Sequence, residues 1–129
     1  MKLQNFILPT GLMLFVASPF LFATPAFSDA KVPGTPYHAT GDINCSIGSG
    51  KMKSCPFGVI RKGNGNGTVV ITTPNGSKRS ISFKKGKAIG YDQSQADHGK
   101  FSATKKGDLS TITIGKEHYE IPDAVIFGG

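Results

Sequence analysis

On both sides of Pro74-Asn75-Gly76, apolar and polar positions alternate with a period of two between Thr68 and Phe83. This is the pattern of two half-buried β-strands joined by a tight turn. Pro74 presets φ for the first turn position, Asn75 tolerates the second, and Gly76 can take the left-handed conformation that closes a type I turn with a one-residue bulge. A three-residue loop sets Thr73 opposite Ser77, Ile71 opposite Arg79 and Val69 opposite Ile81. Val69, Ile71, Ile81 and Phe83 then share one face, while Thr72, Lys78, Ser80 and Ser82 share the other, with Val70 as the exception. A two-residue Asn75-Gly76 loop would place Val69 and Ile71 opposite Ser82 and Ser80 and divide the apolar set, so the bulged turn is the expected one.

Shorter strand patterns follow at Gly41 to Ile47, Pro56 to Arg61, Lys87 to Asp92 and Phe101 to Thr104. Leu109 to Ile114 and His118 to Ile121 predict a second hairpin with Gly115-Lys116-Glu117 as its loop, and Asp123 to Phe127 is a final apolar segment after Pro122. The glycine-rich stretch Lys62 to Gly67 invites comparison with a phosphate cradle. That motif needs a helix to follow, and here Thr68-Val69-Val70 continues as strand, so it reads as a hairpin loop. No amphipathic helix is expected after the first 28 residues. The fold class predicted is all-β, a small antiparallel barrel or sandwich of six to eight short strands.

The first 28 residues stand apart from this pattern. Lys2, the apolar run Gly11 to Phe22 and the small residues around Ala26-Phe27-Ser28 read as a secretory signal peptide. The run is shorter than the roughly 20 residues a spanning helix needs and is flanked by Pro9, Pro19 and Pro25. Residues 29–40, with Pro33, Gly34 and Pro36, are expected to form an extended arm, and residues 41–129 a single β-domain with no transmembrane segment in the mature chain. The expected location is therefore exported, periplasmic or secreted. Cys45 and Cys55 are the only cysteines. In an exported chain two cysteines form a disulfide, and their spacing fits neither a C-x-x-C redox pair nor a zinc site.

Charge narrows the partners. Fifteen Lys and Arg against eight Asp and Glu give +7, and loss of Lys2 with the leader leaves +6. A basic exported domain can meet an anionic envelope polymer, and the pairs Lys78-Arg79 and Lys84-Lys85 are the candidate binding residues. Tyr37, Tyr91 and Tyr119 are too few and too scattered for a stacking platform, which argues against nucleic acid.

The one concentration of chemistry-bearing residues is Tyr91 to His98, with Asp92, Asp97 and His98 as candidate acid, base or ligand groups. Their spacing does not match a calcium loop, and Asp and Ser side chains also hold loops by bonding their own backbone. No metal-ligand set, nucleophile elbow or cofactor motif is recognisable, and no cofactor is expected.

Gly41-Asp42-Ile43-Asn44-Cys45, Cys55-Pro56-Phe57-Gly58-Val59-Ile60-Arg61, the Asp92 to Asp97 loop, Phe101-Ser102-Ala103 and the ending Tyr119 to Gly129 together resemble an uncharacterised family of small exported bacterial proteins. The resemblance covers residues 40–129. It implies a bacterial exported domain with a Cys45–Cys55 pair, and it assigns no activity. The function expected is a non-catalytic β-domain that binds an anionic envelope component or a protein partner. The alternatives are a small hydrolase or metal-binding protein using the Asp92–Asp97 loop, and a secreted enzyme inhibitor.

Overall fold

The computed structural model describes residues 30–92 and 99–128. Eight strands and one helical turn follow in order: β1 (Ala39–Ile47), β2 (Lys53–Gly63), β3 (Asn66–Thr72), β4 (Lys78–Lys84), β5 (Lys87–Tyr91), β6 (Phe101–Lys106), β7 (Leu109–Ile114), β8 (Glu117–Pro122) and α1 (Asp123–Phe127). The β3–β4 turn sets its register as the alternation demands. Gly76 has φ 88°, Thr73 N donates to Ser77 O at 2.8 Å, and Asn75 Oδ1 accepts from Ser77 N at 3.1 Å. Val69 faces Ile81 and Ile71 faces Arg79. Val69, Ile71 and Ile81 are fully buried, each worth roughly 1.5–3 kcal/mol against the exposed state.

All neighbouring strands are antiparallel, in the order β5-β4-β3-β2-β1-β8-β7-β6. Two meanders, β1 to β5 and β6 to β8, are thus joined side by side through β1 and β8. The sheet curls until its two outer strands, β5 and β6, face each other across a seam, giving a nearly closed barrel. Side chains bridge the seam where the backbone does not: the Tyr91 and Phe101 rings stack 6.1 Å apart, and Lys105 Nζ lies 3.4 Å from Gly86 O. Alternation along each strand fills the interior with Ile43, Val59, Ile112, Ile114 and Ile121 as well as the central hairpin.

Cys45 and Cys55 are buried and joined by a disulfide that links β1 to β2, with Cα atoms 5.9 Å apart and a sequence separation of 10. Closing a loop of that size contributes about 2.7 kcal/mol by the chain-entropy argument. Residues 30–38 fold back over β2. His38 N donates to Val59 O at 2.8 Å, and the Tyr37 ring lies flat on Gly58, where a Cβ would sit 2.3 Å from the ring. Only glycine permits that approach.

Two expectations change. The β7–β8 turn contains Gly115 and Lys116 alone, because Ile114 pairs with Glu117 and Gly115 supplies the positive φ of 60° that a two-residue turn requires. Glu117 is therefore a strand residue rather than a loop residue. Asp123 to Phe127 forms one turn of helix, where no helix was expected after residue 28. Pro122 cannot continue the ladder. Arg61 then satisfies carbonyls that so short a helix leaves open, with Nε 3.0 Å from Val125 O and Nη2 3.3 Å from Ala124 O. Val125 and Ile126 are buried and plug that end of the barrel. Among the described residues no helix is long and apolar enough to cross a membrane.

Candidate functional site

The end of the barrel plugged by α1 gathers three turns, at residues 64–65, 85–86 and 107–108. Gly86 N donates to Gly65 O at 2.9 Å, Lys85 N to Asn66 Oδ1 at 2.9 Å, and Asp123 N to Asp108 O at 2.7 Å. These bonds hold the ends of β2, β4, β5 and β6 together, and with them Lys62, Lys84, Lys85, Lys87, Lys105 and Lys106. All six are exposed, and five of them, among the described residues, pair with no carboxylate. Lys105 is the sixth. Its Nζ lies 2.9 Å from Asp123 Oδ1 and 5.9 Å from the centre of the Phe127 ring.

Lys85 occupies an unusual backbone position. Its φ is 51°, and Gly86 follows at 81°. The equivalent turn between β2 and β3 has Asn64 at 59° and Gly65 at 78°, the Asn-Gly pair that a two-residue hairpin turn favours. A lysine in the left-handed region costs about 1 kcal/mol, which asparagine or glycine largely avoids.

The opposite end holds a different polar group inside the barrel. Arg79 is 4% exposed. Its Nε donates to Glu117 Oε1 at 2.9 Å, and its Nη2 contacts Glu117 Oε2. Tyr119 OH donates to the same Oε1 at 2.6 Å. The guanidinium lies 5.1 Å from the Tyr91 ring centre, and Tyr91 OH donates to Gly99 O at 2.5 Å. Hydrogen bonding to Glu117 raises the Arg79 pKa further above its already high value, against the opposing effect of burial. Burial, aided by the bond to Glu117, raises the Tyr119 phenol well above its ordinary value near 10. The cluster is a neutral pair with a protonated phenol on it. Its surroundings suit a structural role, since a buried ion pair needs every partner present.

The expected site residues are thus divided. Lys84 and Lys85 lie on the basic end. Lys78 is exposed on the outer face beside Thr72 at the other end. Arg79 must be withdrawn from the surface, because its register opposite Ile71 turns it inward onto Glu117. Asp92 follows β5, with its backbone N 2.9 Å from Ser80 O, while Asp97 and His98 lie outside the described residues. Lys62, Lys87, Lys105 and Lys106 were missed because their convergence depends on strands far apart in the chain. Among the described residues no group of three or more His, Cys, Asp or Glu is placed to hold a metal.

No family model, curated protein or solved structure matches the chain.

Proposed function

We propose that this chain is an exported, non-catalytic β-barrel domain that binds an anionic envelope polymer through its basic end. The observation that carries the reading is Lys85. A positive side chain is kept at a turn position where its backbone is disfavoured, beside four other exposed lysines. Left-handed non-glycine residues concentrate where function offsets their cost. Lysines at strand ends whose turns are tied together by short hydrogen bonds present a fixed array of charge, which suits a polyanion better than a single small ion. Export is supported by the leader pattern and by the disulfide, which persists in oxidising compartments.

The test is retention of the mature domain on immobilised heparin and on lipopolysaccharide at low ionic strength. Salt-dependent retention is expected, and Lys84→Glu with Lys85→Glu should abolish most of it. Passage straight through both columns at low salt would end the reading, because screening is then too weak to hide a charge interaction.

A further inference from the structure

The seam between β5 and β6 opens into a cleft of about 380 Å³ lined by Lys87, Ala88, Ala103, Thr104, Lys105 and Ser110. Its volume falls in the range of small-molecule sites. Both bordering strands are sheet ends, so each has a backbone edge without a strand partner. The cleft has a floor as well as a rim. Ser110 faces Ile121 and Lys105 across its two ladders and is only 3% exposed. Ala88 and Ala103 keep the space open, since any larger residue at either position would fill it. Lys87 brings an uncommitted charge from β5. Lys105 faces it from β6, with its Nζ steadied by Asp123 and Gly86 O.

We propose that the seam cleft binds a phosphorylated polyol unit of the anionic polymer. The phosphate lies between Lys87 and Lys105, and the hydroxylated carbon chain lies against Ala88 and Ala103 with a hydroxyl on Ser110. Charge-assisted bonds from the lysines supply the anchor. The small apolar wall and the Ser110 hydroxyl suit a polyol rather than a bare ion, for which the cleft is too large. This inference rests on the polymer reading for the class of partner; it shares Lys87 and Lys105 with the basic end and adds Ala88, Ala103 and Ser110.

The test titrates glycerol 3-phosphate into the isotopically labelled mature domain and follows the backbone amides of Ala88, Ala103 and Ser110. Saturable shifts at these amides are expected with a dissociation constant on the order of 1 mM. Lys87→Glu should weaken them about tenfold, the loss of one charge-assisted bond. Ala103→Phe should abolish them, with its melting temperature recorded alongside. The exposed Lys87 provides an independent check should the larger side chain disturb the strand. Tighter binding of poly(glycerol phosphate) at the same amides would identify a polymer unit as the natural occupant; equal affinity per phosphate would overturn that source. No saturable shift at the seam, with heparin retention intact, would overturn this site and leave the polymer reading standing. Seam binding without retention on either column would uphold the phosphate site and remove the polymer from it.

Discussion

At one end of the barrel the interior is closed by Val125 and Ile126 of α1, and the lysines around it stay in water. At the other end a charge is drawn inside: Arg79 lies among buried side chains with Glu117, Tyr119 and Tyr91 around it. Both ends draw on side chains of the same sign, and the two dibasic pairs Lys78-Arg79 and Lys84-Lys85 are alike on paper. The difference is one of register. Arg79 occupies a position whose neighbours along the strand, Ile81 and Phe83, face the core, whereas Lys84 falls on the outer face and Lys85 sits in the turn that follows. A cation inside must be neutralised and becomes part of the architecture. A cation on the outer face or in a turn keeps its charge for a partner.

The contrast is broken most forcefully at Glu117. Glu117→Ala leaves the Arg79 guanidinium buried and unpaired, and a loss of about 3–5 kcal/mol is expected in chemical denaturation. Replacing both partners, Arg79→Met with Glu117→Leu, should recover most of that loss. If the single substitution costs no more than a surface change, the buried pair is not what closes that end. Next comes the apolar plug: Ile126→Ala should cost about 2–4 kcal/mol through the cavity it leaves, while retention on heparin by the folded protein is unchanged.

Smaller effects sharpen the comparison. The Tyr119 phenol ionises at higher pH in the folded chain than in the unfolded one. The fold therefore holds this proton more tightly, and stability that is fully present below pH about 10 falls as pH rises past the unfolded-state value. Tyr119→Phe should lower stability by about 1 kcal/mol at neutral pH through the lost hydrogen bond and flatten that alkaline decline. A decline of equal steepness in the variant would assign it to other groups. The gentlest change separates stability from binding. Lys85→Asn should raise stability by up to about 1 kcal/mol by relieving the left-handed backbone, and at the same time lower the salt concentration that elutes the domain from heparin. A gain in stability with no change in elution would leave the lysine without a role.

The central hairpin was legible because two independent signals agreed, the turn residues Pro74-Asn75-Gly76 and the period-two alternation of its arms. That register set Arg79 opposite Ile71, yet beside Lys78 it reads as half of a surface pair, and only the structure turns it inward. Its partner was harder to find. Gly115-Lys116-Glu117 reads as a loop by composition, and only the pairing of Ile114 with Glu117 turns the carboxylate inward. The helix at Asp123 to Phe127 is too short to carry a helical period. The basic end and the seam depend on strand order, and pairing β1 with β8 joins Asn44 to Glu120 across a separation that no local pattern encodes. The Asp92 loop drew attention through composition alone, and Asp92 itself proves to be tied to Ser80 through its backbone.

The strand order carries one more consequence. Taken as a ring, β6-β7-β8-β1-β2-β3-β4-β5 is a simple meander in which every neighbour is next in sequence except at the junction of β8 with β1. Both flanks of that junction come to Arg61: its backbone N–H donates to His38 Nδ1 at 2.9 Å, and its guanidinium lies 3.5 Å from the position a Cβ would take on Gly128. A circular permutant that joins these flanks and opens between residues 92 and 99 would keep every ladder while making all of its pairings local. Folding rates rise as contacts become local, so such a chain is expected to fold faster than the natural one while reaching the same barrel.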